Sequence, residues 1–199
     1  MSAPQTHFDP LEDLFVAQFA KPDDLHPVNL RVLSPFLRAL LTIDGTVTKF
    51  IEAFTMEPVD VTLLSQDVRK LLVDHEWLDA PAGSSVVARE VVLAGRYRGN
   101  VYSYAPSLLV VDRLPEAVQA ELTSNPGGLG KILLASRVES RREILWYGRE
   151  RLDDTPPGVP GLRPGEFISR TYRIISGGQP IMLINEKFPT DADPWPAHD

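Results

Sequence analysis

Residues 170–189, RTYRIISGGQPIMLINEKFP, read as two strands folded back at Ser176-Gly177-Gly178-Gln179. A Gly-Gly pair supplies the positive φ angles of a two-residue hairpin, and apolar, β-branched residues flank it on both sides. Along the return strand Met182, Ile184, Glu186 and Phe188 share one face, and Ile181, Leu183 and Asn185 share the other. Glu186 thus interrupts an apolar face. Desolvating its carboxylate costs several kcal/mol unless a cation or a ligand hydroxyl compensates. With a regular two-residue turn, Ser176 faces Gln179, Arg173 faces Met182, and Arg173 shares the face of Glu186. A structural ion pair between them and a ligand site are both consistent with this pattern.

A second charge breaks an apolar face with the opposite sign. Residues 85–93 alternate as a strand, with Val87, Arg89, Val91 and Leu93 on one side. A solvated face with Arg89 snorkelling outward is the plain alternative, and the valines beside it weigh against that. A guanidinium held among apolar side chains is a natural bidentate partner for a carboxylate, the protein's own or a ligand's. Arg89 and Glu186 at opposite ends of one cavity would suit a small ligand with a carboxylate at one end and a hydroxyl at the other.

Around these two strands the rest falls into place. Ser34-Pro35 starts a helix carrying Phe36, Leu37, Leu40 and Leu41, and Asp44-Gly45 stops it. Thr46 or Thr48 caps a second helix carrying Val47, Phe50, Ile51 and Phe54. Residues 59–63 alternate as a strand, residues 66–79 have helical spacing, and 101–111 form another strand. Short helices are expected over 114–122 and 129–136, then a strand over 138–147 and an exposed, mobile loop over 153–165. Leu11, Leu14, Phe15 and Phe19 suggest a short helix before the break at 21–24. Hairpin-linked strands with inserted helices give an α+β fold, a single antiparallel sheet whose helices cover a buried ligand cavity. The expected division is an N-terminal arm over 1–33, one domain over 34–190 and a tail over 191–199.

Composition narrows the function classes. With 43% hydrophobic and 24% charged residues, the 199-residue chain has an ordinary globular profile. A net charge of -7 without a basic stripe argues against nucleic acid as a partner. No cysteine is present, which excludes disulfides, thiolate catalysis and Cys-based zinc sites. The four histidines, at 7, 26, 75 and 198, do not pair at ligand spacing, so no metal site is expected. There is no apolar run long enough to cross a bilayer and no basic-then-apolar leader, so the expectation is a cytoplasmic protein with no membrane partner. Gly127-Gly128-Leu129-Gly130 lacks the Lys-Ser/Thr of a phosphate loop. It can still offer backbone N–H groups to an anion, although a plain helix-initiating turn fits equally. Asp74-His75-Glu76 reads as a solvated face rather than an acid–base cluster.

Arg170-Thr171-Tyr172-Arg173, the following IISGGQPIM and then Glu186-Lys187-Phe188 resemble the C-terminal hairpin of chorismate pyruvate-lyases, most closely their actinobacterial 4-hydroxybenzoate synthase branch. Asp44-Gly45-Thr46-Val47-Thr48, Val87-Ala88-Arg89-Glu90-Val91, Ser107-Leu108, Asp112-Arg113-Leu114-Pro115 and Gly128-Leu129-Gly130 follow the family's order, and together the resemblance spans residues 34–190. It implies an antiparallel sheet with the active site beneath two helical flaps, here 34–55 and 114–136. It also implies a cofactor-independent lyase that splits chorismate into 4-hydroxybenzoate and pyruvate. Carried over by position, Arg89 binds the ring carboxylate and Glu186 meets the aromatic hydroxyl. Backbone N–H groups near Val47 and Leu129 complete the carboxylate cradle. On this reading a protonated Glu186 assists departure of the ether oxygen, and Arg173 is the candidate for the enolpyruvyl carboxylate. An arginine of the proteobacterial branch aligns with Pro106 or a neighbour and is missing here. The expected partners are the small-molecule substrate and product, in a monomer or small homo-oligomer. The competing class is an aromatic-acid-binding sensor domain, or the same fold recruited to another step of secondary metabolism.

Overall fold

In the computed structural model the described residues are 9–11, 13–114, 116, 118–120, 139–156, 159 and 161–191. Six antiparallel strands form one sheet: β1 Val59–Lys70, β2 Ser85–Gly95, β3 Val101–Val110, β4 Arg141–Leu152, β5 Gly165–Ser176 and β6 Gln179–Pro189. Their spatial order is β1-β2-β3-β6-β5-β4, so two three-stranded meanders meet where β3 pairs with β6. The α+β sheet expected from the sequence is what forms.

One face of the sheet is covered. Helix α1, Pro35–Thr42, opens as expected, with the Ser34 hydroxyl oxygen accepting from the Leu37 amide at 3.2 Å and Pro35 in the first turn. Helix α2, Val47–Thr55, follows after a sharp turn. Phe36, Leu37, Leu40, Val47 and Ile51 pack with Val59, Leu93, Tyr102 and Phe188 from the sheet. Each such side chain, once fully buried, contributes roughly 1.5–3 kcal/mol. A second cluster on the same face joins Val87, Leu109, Ile168, Met182 and Ile184 to Leu11 and Phe15 from the N-terminal segment and to Leu114 and Val118.

The N-terminal segment lies along β4. The Val16 and Ala17 amides donate to the Ile144 and Leu145 carbonyls, and His26 bridges to Arg149. It crosses directly over Gly148, where a Cβ would come within 2.3 Å of the Leu25 side chain, so only glycine permits the approach. The short helix expected over 11–19 is a series of turns with one 3-10 turn at Gln18–Ala20, and Phe19 is 91% exposed.

Three further expectations change. Residues 66–79 are not a helix: Gln66–Lys70 continue β1 in register with Arg89–Ser85, and only Glu76–Leu78 make a 3-10 turn. Val68, Leu71, Leu72 and Trp77 imitate a helical stripe by spacing, yet Val68 and Leu72 are exposed near the end of the long β1–β2 hairpin, while Leu71 and Trp77 pack against separate clusters. Strand β4 starts at Arg141 and runs on to Leu152, beyond the expected end at 147. The loop after it is not wholly exposed, because Leu162 is buried against Val92, Val101 and Phe167. Helical residues appear at 116 and 118–120, whereas the helix expected over 129–136 lies outside the described residues.

Glu57 anchors the far end of the β2–β3 hairpin. Its carboxylate accepts from the Tyr102 hydroxyl at 2.8 Å and from the Tyr97 and Arg98 amides at 3.1 and 3.2 Å. Burial acts to raise its pKa, but these three donors and the Arg98 charge outweigh that and hold it below the ordinary 4.5. A depressed carboxylate pKa adds stability above about pH 4.5 that is lost as pH falls through the folded value. Glu57→Gln should therefore lose about 1–3 kcal/mol at neutral pH and should flatten the acid limb in urea melts at pH 7 and pH 4. An unchanged pH dependence in the variant would show that Glu57 is not responsible.

Candidate active site

The hairpin forms with Gly177 and Gly178 at φ 57° and 80°, and Ser176 faces Gln179 as the sequence predicts. The register then slips. Ile175 pairs with Pro180 but Ile174 pairs with Met182, leaving Ile181 as an extra residue in β6. Pro180 has no N–H to give to the ladder, and such positions favour a bulge. A slip of one residue exchanges the faces of every side chain beyond it. Arg170 therefore pairs with Glu186 and Tyr172 with Ile184, while Arg173 pairs with Leu183 on the opposite face.

Arg173 is consequently not part of the cavity. Its Nε donates to Glu143, its Nη1 donates to the Trp77 carbonyl at 3.3 Å, and its guanidinium stands 5.9 Å from the Trp77 ring centroid. Burial acts to raise the Glu143 pKa, but Arg173 and then Arg141 prevail and hold it below the ordinary carboxylate value.

Glu186 gains the partners the slip brings to it. Arg170, 1% exposed, donates from Nε to Glu186 Oε2 at 2.9 Å and from Nη1 to the Leu41 and Ile43 carbonyls at 3.1 and 2.8 Å. One buried guanidinium thus ties β5, Glu186 and the C-terminal end of α1 together, where the helix dipole favours a cation. The Tyr172 hydroxyl donates to Glu186 Oε1 at 3.2 Å. Burial and then the Glu186 charge push the Tyr172 pKa well above that of a free phenol, so this hydroxyl remains a donor.

Arg89 is 2% exposed, and its Nη1 donates to Gln66 Oε1 at 2.5 Å across the β1–β2 ladder. Burial, which disfavours its charged form, lowers its pKa below that of a free guanidinium. Arg89, Ser107, Ile184 and Tyr172 form a continuous row across β2, β3, β6 and β5. Ala105 and Ser107, small residues on the strand between Arg89 and Glu186, keep the floor low. At about 4.8 Å per strand, Arg89 lies roughly 10 Å across the sheet from Ile184, with Glu186 two residues further along β6 and a cavity between the two charges.

The cavity measures about 90 Å³ and is walled by Arg89, Val91, Leu93, Arg142, Tyr172, Ile184 and Glu186. That is room for several water molecules, the scale of a single-ring acid. Val87 and Met182 lie in the apolar cluster beside it. Gly45, Thr46, Val47 and Thr48 form the roof. The first amides of a helix have no intrahelical acceptor, and the Thr46 side chain does not cap them, so the start of α2 adds a partial positive charge above the cavity. Leu129 lies outside the described residues. Arg170, Tyr172 and Arg142 were not singled out from the sequence. The first two enter through the slip at Pro180, and Arg142 enters because β4 pairs with β5.

The opposite face carries a wider groove of about 430 Å³ along β2, β3 and β6. Arg89 and Ser107 border this groove too; within it Lys187 pairs with Glu150, and the Asn185 amide donates to Thr171 Oγ1 at 2.8 Å. The smaller cavity instead gathers arginines and a helix start around one buried carboxylate. That set of donors suits an anion, and this cavity is the candidate site.

Comparison with known proteins identifies the family. Residues 41–195 match the family model described as "Chorismate pyruvate-lyase Rv2949c-like". A chorismate pyruvate-lyase of Mycobacterium tuberculosis is 33% identical over 169 residues, which cover 80% of this chain and 82% of that protein. One from Mycobacterium leprae is 30% identical over 161 residues, covering 80% and 76%. Among solved structures, PhnF from Mycobacterium smegmatis superposes with a TM-score of 0.54 at 14% identity, covering 86% of this chain and 69% of that one. The ligand-binding domain assigned to a GntR-family transcriptional regulator from Bordetella bronchiseptica superposes at 0.50 with 15% identity, covering 67% and 85%. These two likenesses concern the fold alone. By the extent of the family match and the identity of its mycobacterial relatives, the chain belongs to the Rv2949c-like chorismate pyruvate-lyase family.

Proposed function

We propose that the protein splits chorismate into 4-hydroxybenzoate and pyruvate without a cofactor, in the cavity between Arg89 and Glu186. The observation that carries this reading is the pair itself: two buried, oppositely charged side chains on separate strands of one covered face. Arg89 holds the ring carboxylate, helped by the first amides of α2 at Val47. Glu186 lies at the other end, toward the ring hydroxyl.

The reaction needs little from the protein beyond orientation and the handling of one proton, because aromatisation drives it. The ring loses its C4 proton, the bond from C3 to the enolpyruvyl oxygen breaks, and the released electrons complete the aromatic ring. The departing enolpyruvate takes up a proton and becomes pyruvate. A protonated Glu186 would donate its proton to the departing ether oxygen. Its partners favour the reverse role, since Arg170 donates to one oxygen and Tyr172 to the other, leaving the carboxylate placed to accept a proton. Glu186→Gln keeps the size of the side chain and removes the acceptor, so kcat should fall by about a hundredfold while 4-hydroxybenzoate still binds. An unchanged kcat would put the proton acceptor elsewhere.

The test of the function is to mix purified protein with chorismate and follow pyruvate and 4-hydroxybenzoate together. Equal amounts of both, formed catalytically, support the lyase. Binding of 4-hydroxybenzoate with chorismate left intact would overturn it in favour of an aromatic-acid sensor.

A further inference from the structure

We propose that Arg142, on β4, receives the second carboxylate of the substrate, the one carried by the enolpyruvyl group. This rests on the lyase reading of the cavity and adds to it the residue that selects a dianion. Arg142 stands in the cavity wall with Arg89 and Glu186. Its Nε is buried and has no hydrogen-bond partner among the described residues. A buried N–H left without an acceptor is unfavourable by about 1–3 kcal/mol, so such a group in a cavity wall marks where an acceptor is missing.

Its surroundings leave it available. Arg142 Nη1 is 3.9 Å from Asp44 Oδ1, too long for a hydrogen bond, and the Asp44 side chain is 67% exposed. An ion pair at that distance and exposure contributes little, and a ligand carboxylate can displace it. The guanidinium carbon lies 6.0 Å from the Tyr172 ring centroid, and that ring and Asp44 hold it near the mouth without using up its donors. Arg170 is held more firmly: its Nε and Nη1 bond Glu186 and two carbonyls of the chain, and only its buried Nη2 is left without a partner among the described residues.

The placement matches the chemistry of the substrate. Chorismate has one carboxylate on the ring and another on the side chain joined through the ether oxygen. Arg89 and Arg142 come from β2 and β4, on either side of β6, which carries Glu186. Two cations flank one acceptor; in chorismate the carboxylates are on C1 and on the C3 side chain, and the hydroxyl is on C4 beside that side chain. 4-Hydroxybenzoate keeps only the ring carboxylate, so Arg142 would tell substrate from product.

The experiment compares wild type with Arg142→Gln and Arg142→Lys. It measures kcat and KM for chorismate and, by calorimetry, Kd for 4-hydroxybenzoate and for 3-(carboxymethoxy)benzoate, a stable aromatic diacid. Arg142→Gln should raise the chorismate KM and the diacid Kd at least tenfold, and should change the 4-hydroxybenzoate Kd by less than about twofold. Arg142→Lys should recover part of the loss, since it restores the charge without the fork. Unchanged diacid binding, or equal losses for the diacid and the monoacid, would overturn the proposal. Should the wild type release no pyruvate yet lose its diacid preference on Arg142→Gln, the lyase reading fails and the role of Arg142 stands.

Discussion

Arg89→Ala should lower kcat/KM for chorismate by at least a hundredfold, about 2.7 kcal/mol of transition-state binding. Truncating one partner of a buried, hydrogen-bonded charge pair commonly costs about 2–5 kcal/mol, and here the orphaned partner would be the substrate carboxylate. The loss should fall on substrate and product alike, because both carry the ring carboxylate. This sets Arg89 apart from Arg142, whose removal should spare the product. Arg89 also donates to Gln66, so thermal melts of the variant belong beside the kinetics. A folded variant within tenfold of wild type would remove Arg89 from the site.

Arg170→Leu should be the most destabilising single change in this face, by about 3–5 kcal/mol in urea unfolding. It leaves Glu186 buried without its cation and releases two carbonyls at the end of α1, Leu41 and Ile43, from their donor. Adding Glu186→Leu should recover part of the stability, because removing a whole buried pair is less harmful than breaking it. Activity should not return in the double variant. A loss below about 1 kcal/mol in Arg170→Leu would mean that the pair holds neither the carboxylate nor the helix in place.

The alternation of strand residues made the two central charges legible before any coordinates. A lone Arg among Val87 and Val91, and a lone Glu between Ile184 and Phe188, both point to a desolvated setting, and both side chains are buried. The Ser34-Pro35 helix start and the Gly177-Gly178 turn were equally plain, since each rests on local chemistry. The partner of Glu186 was not legible. A regular hairpin brings Arg173 to its face, and only the bulge at Pro180 substitutes Arg170 and Tyr172. Proline in a strand is a recognised warning of such a slip, so the signal existed in residue 180. Arg142 carried no comparable signal, because its place in the wall depends on pairing with a strand distant in sequence. The helix wrongly expected over 66–79 shows the opposite failure, where apolar spacing in an exposed hairpin end imitates a helical face.

The most direct check is a crystal structure with 4-hydroxybenzoate bound. The expected density places the ring under the start of α2, its carboxylate within hydrogen-bonding distance of the Arg89 guanidinium and its hydroxyl on Glu186. A ring seated in the groove on the other face of the sheet, or turned so that neither side chain touches it, would overturn the assignment of the site.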